Sequence, residues 1–353
     1  MWAMVMKEFR QLRRDRRTLA MMIVVPLLLL IVFGYAARFD VTNIPTKVVG
    51  QEADRVADEL PDLFSVHETD PLAGQADAEE LLRQGEAVVA VVTGRSEAVA
   101  LIDGSQLFSA RTALEAFSRA SQRGILVRPR VLFNPELETS DIMVPGLAGM
   151  ILLFIGTVLT SLGVVRERQA GTLEQLAVMP LRPRDVFVGK IAPYFLVASI
   201  DLAVVVAAGA VIFDVPFNGS VVTLALGSLL FLFVTLGLGV LISGVSENQG
   251  QAIQLALMIL LPQVLLSGLI FPLDSMAAGV RWIGYLLPLT YFIEISRGVM
   301  IRGAPLEALM QPMLLLGLLG LVVFSLALLR FRRDLAPAGR TRRDEQELVA
   351  AGT

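Results

Sequence analysis

Little in this 353-residue sequence could do covalent chemistry. It has no cysteine and a single histidine, His67, which removes thiol nucleophiles, disulfide frameworks, Cys-ligated metals and any His triad. The only Gly-Lys pair, Gly189-Lys190, does not complete a phosphate-cradling loop. Arg184 stands where the first glycine of G-x-x-x-x-G-K-[ST] belongs, and Ile191 follows the lysine. What remains is polar chemistry in unusual places. Asp201 lies inside an apolar run, about 16 Å along a helix axis from Lys190, where a carboxylate is costly. It could contact a substrate, sense protons or hydrogen-bond a neighbouring helix. Gln254 and Gln263, with Pro262 between them, interrupt another apolar run; they could line a pathway or join helices. Glu294 and Arg297 are three apart and can pair on one helix face, as a gate or as a stabilising contact. Asp103 in "IDGSQ" could be a ligand residue, although Asp-Gly is turn chemistry.

The elements that hold these residues follow from composition. The chain is 55% hydrophobic and 18% charged, with a net charge of −3 and a mean hydropathy of +0.67, outside the usual soluble range. About 20 apolar residues cross a bilayer as a helix. The sequence predicts an α-helical polytopic membrane protein with six transmembrane helices, at about 19–37, 142–165, 190–213, 221–243, 251–271 and 312–330. The first is too long for a signal peptide. Lys7, Arg10, Arg13, Arg14, Arg16 and Arg17 precede it, and Arg166, Arg168, Arg182, Arg184 and Lys190 lie between the second and third runs. Arg330, Arg332, Arg333, Arg340, Arg342 and Arg343 follow the last, whereas "DVPFNG" between the third and fourth has no basic residue. The positive-inside rule then places both termini in the cytoplasm.

Residues 38–141 fall outside and change character. "AVVAVVT" (87–93) and "AVALID" (98–103) read as strands; "SARTALEAFSRASQRG" (109–124) and "QEADRVADEL" (51–60) read as helices. A small extracytoplasmic α/β domain between helices 1 and 2 follows. Its acidity argues against nucleic acid or anionic lipid as a partner.

The stretch "RERQAGTLEQLAVMPLRPRDVFVGK" (166–190) is charged and broken by prolines, between two oily runs. Thr172 and Gln175 form a capping-box pattern after Gly171, and Pro180 ends the helix they start. Leu173, Leu176 and Ala177 share one face; Asp185 is a reasonable cap for the helix into span three. So short a helix must be held by packing, either in the headgroup interface or against a soluble partner.

This stretch resembles the signature of the permease subunits of ABC-2 type exporters, Glu-Arg-x-x-Gly-Thr-x-Glu-x-Leu-x-x-x-Pro followed by Gly-Lys. Other segments match in order: "MKEFRQLRRDRRTL", "FNPELETSDIMVPGLAGMI", "SENQGQAIQ" and "LSGLIFPLDSM…LPLTYFIEISRGVMIRG". The resemblance covers roughly 1–332. It implies that 166–189 is a coupling-helix loop docking on an ATP-binding subunit through Glu167, Gly171, Thr172, Glu174 and Leu176. It implies that 1–18 is an amphipathic connecting helix and that 272–311 forms re-entrant helices on the outer side. The tail 331–353 reads as a polar cytoplasmic segment. The implied partners are a separate ABC ATPase subunit holding ATP and Mg, a second permease copy or homologous permease, and the bilayer, with a periplasmic adaptor as a further candidate. The chain itself would bind no cofactor and be no enzyme. An outer domain of this size resembles the drug-efflux branch, implying export of a drug-like molecule, amphiphile or lipid from the bacterial inner membrane. Two other classes stay open: an ion-driven secondary transporter, which would favour repeats and more intramembrane carboxylates, and an envelope scaffold or receptor.

Overall fold

A computed structural model describes residues 6, 27, 41, 43–94, 98–122, 127–171 and 183–334. The expected connecting helix 1–18, most of the first span and the tail beyond 334 lie outside the described residues.

The first unit is a five-stranded sheet with the order β2-β1-β3-β4-β5. Its strands are β1 (Ile44–Val49), β2 (Phe64–Asp70), β3 (Val89–Thr93), β4 (Ala98–Asp103) and β5 (Val127–Leu132). Only the β3–β4 pair is antiparallel; the others are parallel and need crossovers. Those are α1 (Ala53–Glu59), α2 (Gln75–Gln84) and α3 (Leu107–Gln122). Alternation along the strands decides which helix covers which face. Ile44, Val48, Val89, Val91, Ala100 and Ile102 pack with Ala53 and Phe117 of α1 and α3. Val49, Ala90 and Leu101 pack with Ala78 and Leu82 of α2. Phe117 stacks on Phe64 at 4.7 Å between ring centres, filling the first face.

The rest is helical: α4 (Thr139–Gln169), α5 (Pro183–Ile212), α6 (Val221–Val245), α7 (Gln249–Leu266), α8 (Ala278–Gly284), α9 (Pro288–Arg297) and α10 (Met310–Asp334). Among the described residues, five helices are long and apolar enough to cross a membrane: Thr139–Gln169, Ala192–Ile212, Val221–Val245, Gln249–Leu266 and Glu307–Arg330. The fourth stops at Leu266, short of the expected 271, because Gly268 takes a left-handed φ of 86° that a continuing helix does not allow. The second begins with Pro183 as its first residue, a favoured place for proline. Asp185 therefore stands inside the first turn and not at the cap. α6 is central and starts from Ser220, whose hydroxyl accepts from the Thr223 N–H. Phe231 of α6 stacks on Phe292 of α9 at 4.5 Å.

Small residues let these helices touch. A Cβ on Gly239 of α6 would come within 2.8 Å of the Thr157 carbonyl of α4. That carbonyl lies in a π-helical turn, Ile155–Leu159, inside α4, which packs directly against α6. By contrast α5 faces outward, with Val211 80% exposed alongside Leu196, Ile200 and Val204. A continuous apolar face of this kind suits hydrocarbon and not water.

Candidate coupling end and domain-covered cavity

Two places bring polar groups together, one at each end of the bundle. At the end remote from the sheet, α4 has run 31 residues, about 46 Å, and closes at Gly171. There φ is +72°, and the N–H of Gly171 donates to Arg168 O at 3.1 Å. Glu167 is half-buried one turn earlier. The sequence that follows holds Thr172, Glu174 and Leu176, which lie outside the described residues. What can be described is the mounting of that segment. Arg168 Nη1 donates to Ser243 O at 2.8 Å and Ser246 O at 3.0 Å. Arg330 of α10 donates to Gly244 O from Nη2 at 2.7 Å and from Nε at 3.1 Å. These carbonyls end α6, where free C=O groups and the negative end of the dipole favour cations. Gln249 Nε2 also donates to Gln169 Oε1 at 3.1 Å. Four helix ends are thereby joined just before residue 172. Arg168→Ala removes charge-assisted bonds worth about 2 kcal/mol. Amide exchange over 241–247 is expected to rise about 30-fold, read by hydrogen–deuterium exchange mass spectrometry.

At the other end the sheet sits on the bundle. Asp103 ends β4, and its Oδ1 accepts from the Ser105 N–H at 2.8 Å, the turn chemistry expected of Asp-Gly. Its Oδ2 also lies 3.6 Å from Arg302 Nη1. Asp103 is 1% exposed and Arg302 5%. Burial pushes the Asp103 carboxyl above its ordinary value, and the Arg302 charge opposes that shift in part. Arg302 is aimed at the domain by a π-helical turn, Gly298–Arg302, closed by Gly303 at φ +62°. Gly85 takes a left-handed φ of +81°, which favours glycine, and a Cβ there would crowd Arg302 Nη2 at 3.1 Å. Arg83 Nη1 donates to Arg302 O at 3.0 Å, and its guanidinium lies over Phe133 at 5.6 Å. Asn218 Nδ2 donates to Ile301 O at 2.8 Å. Beneath this seam is a cavity of about 180 Å³ reached by Glu294, Arg297 and Arg302.

The other expected site residues are placed as follows. Glu294 and Arg297 do not pair. Arg297 donates to Ile142 O from Nε and to Gly268 O from Nη1, both at 3.3 Å, because the bend after α7 presents the Gly268 carbonyl to it. Both residues do line the same cavity. Asp201 is half-buried on α5, with no hydrogen bond or ion pair among the described residues. Ser199 turns back to its own helix at Phe195 O, 2.8 Å. The Oε1 atoms of Gln254 and Gln263 are buried without a partner, as is Ser267 Oγ one turn beyond Gln263. Sequence reasoning missed Arg302, Arg168 and Arg330, whose partners are remote carbonyls or a remote carboxylate that no local spacing encodes. A basic residue beside a glycine, as in Arg302-Gly303, was the one local signal.

A bundle of apolar helices carrying an α/β domain over a polar cavity defines a polytopic membrane protein with a domain mounted at one end. A family model described as ABC-2 family transporter protein matches residues 16–329, and the chain belongs to that family. It is 29% identical over 332 residues to the probable multidrug ABC transporter permease YbhS of Escherichia coli (strain K12), covering 85% of this chain and 88% of that one. It is 27% identical over 363 residues to the probable multidrug ABC transporter permease YbhR of the same organism, covering 94% and 98%. It is 32% identical over 215 residues to the inner membrane transport permease YhhJ, also from that strain, covering 60% and 57%.

Proposed function

We propose that the chain is the transmembrane permease subunit of an ATP-driven exporter in the bacterial inner membrane, with both termini cytoplasmic and the α/β domain outside. A separate ATPase subunit, holding ATP and Mg, docks on 166–189, and a second permease copy or homologous permease completes the pathway. The cargo is a drug-like or amphipathic small molecule or a lipid. The observation that carries this reading is the mounting of Gly171. The segment bearing the coupling signature leaves a helix end tied by Arg168 to the end of α6, so a push on it moves the bundle and not a loose loop. Along α7 the buried, unpartnered Oε1 of Gln254, near the coupling end, is followed on the opposite face of the helix by that of Gln263 and, one turn on, by Ser267 Oγ at the cavity, polar groups suited to lining a path. Glu294 and Arg297 stand at its outer mouth as gate residues.

The test separates ATP drive from ion drive. In inside-out vesicles, uptake of an amphipathic fluorescent dye is expected to require ATP and to persist when ionophores collapse the proton and sodium gradients. Uptake abolished by ionophore with ATP still present would favour the secondary transporter.

A further inference from the structure

Between α7 and α9 the chain holds a surface that neither the coupling end nor the cavity uses. Residues 277–287, "AAGVRWIGYLL", contain one charged residue, Arg281, and most of them form α8 (Ala278–Gly284). The inner side of this segment is packed: Val280, Ile283 and Leu287 lie against Leu265, Leu266, Phe271 and Met276. The contact is close, since a Cβ on Gly284 would come within 2.6 Å of the Leu266 carbonyl oxygen. Arg281 is turned back toward the protein. Its Nη2 donates to Asp274 O at 2.5 Å and to Met276 O at 3.3 Å, and its Nη1 lies 3.8 Å from Asp274 Oδ1.

The outer side is apolar too. Trp282, Tyr285 and Leu286 stand three and four residues apart, hence on one side of the turn, and are 57%, 47% and 56% exposed. A segment that is apolar on both sides, with its one charge tied down, is unsuited to water. Either protein or lipid must cover it. The three side chains together offer roughly 300 Å², well short of the ~800 Å² that each partner brings to a stable protein–protein interface. Their types favour lipid, because tryptophan and tyrosine have an apolar body and a polar edge and collect where headgroups meet acyl chains. The depth agrees. α7 starts at Gln249, which is bonded to Gln169 at the coupling end, and runs 18 residues to Leu266, about 27 Å. That is close to one hydrocarbon thickness of about 30 Å, so α8, packed on the last turn of α7, lies at the opposite boundary.

We propose that Trp282, Tyr285 and Leu286 dock on the bilayer itself, seating α8 as a lateral anchor at the headgroup–acyl boundary on the domain side. The anchor acts on a definite part of the structure. Arg281 holds Asp274, and Pro272, Leu273 and Asp274 belong to the cavity wall, so the position of that wall follows α8 and the lipid surface it rests on. The contact needs a bilayer-spanning chain and no ATPase, so it can fail while the exporter reading stands, and the reverse.

Trp2 and Trp282 are the only tryptophans of the chain, so Trp2→Phe leaves Trp282 as the sole indole reporter. The full-length variant, without ATPase, is reconstituted in phosphatidylcholine vesicles, once with ordinary acyl chains and once with acyl chains brominated near the headgroup. A side chain seated at that boundary is within reach of the bromines, so Trp282 emission is expected to fall about twofold in the brominated vesicles, while iodide on both sides of the membrane has a smaller effect. The difference in emission between wild type and Trp282→Phe gives the same signal without Trp2→Phe. Quenching by iodide that equals or exceeds quenching by bromine would place the face in water. Quenching by neither would place a second copy, or another part of the chain, over it. Either result overturns the proposal.

Discussion

Asp103→Ala is expected to lower the stability of the folded chain by about 3–5 kcal/mol, the usual cost of leaving the partner of a buried ion pair alone. Arg302 is 5% exposed, and its charge is faced by Asp103 at 3.6 Å. Without that carboxylate the guanidinium stays in a low-dielectric seam with an orphaned Nε and cannot shed its proton. Arg302→Met alone is expected to cost less, because a buried carboxyl can neutralise itself by taking up a proton. Its folded value is already pushed up by burial. The double variant Asp103→Leu with Arg302→Met removes both charges and is expected to recover most of the loss, since apolar replacements of buried pairs are often neutral or better. Unfolding of the four proteins in detergent forms a double-mutant cycle. A coupling of about 2 kcal/mol or more, with the double variant near wild type, fits a closed seam. Single variants each within about 0.5 kcal/mol of wild type would mean that the domain does not sit on Arg302.

How much of this was legible in the sequence differs by element. Lipid forces every backbone group to be satisfied within a helix, so the apolar runs gave helices at 139–169, 183–212, 221–245 and 310–334 near where they were expected. The fifth run ended early because its last residues, after Gly268, are apolar for packing and not for crossing: Ile270 and Phe271 join Leu265 and Leu266 against Leu273, Val280 and Ile283. In the domain, the Val-rich strands β3 and β4 were read from "AVVAVVT" and "AVALID", since they lie inside the sheet. Three were not: the interior β1 is "IPTKVV", broken by Pro45 and Lys47, and the edges β2, "FSVHETD", and β5, "VRPRVL", are polar and Pro-bearing as edges tolerate, and so without a clean alternation. Asp103 was readable as a turn residue because that role is local. Its second role, as partner of Arg302, depends on the domain landing on the bundle. Likewise the i, i+3 spacing of Glu294 and Arg297 permits a pair, but the Ile142 and Gly268 carbonyls, brought in from elsewhere, take the guanidinium instead.

Glu174→Lys is expected to have the largest functional effect. The substitution leaves every apolar run intact and reverses the charge at the centre of "GTLEQL". Reversing one charge of a docked pair costs about 2–5 kcal/mol, or about 30-fold or more in affinity, so the complex should fall apart on dilution. ATP-dependent dye uptake should fall to background while the permease stays folded and in the membrane.

The most direct measurement extracts the tagged chain from its native membrane in mild detergent, as wild type and as Glu174→Lys, and asks whether a separately encoded ATP-binding polypeptide copurifies. One is expected to accompany the wild type and to be lost, or to remain without coupling, in the variant. If none accompanies the wild type and the variant behaves identically, residues 166–189 are an interfacial loop and the permease reading is contradicted.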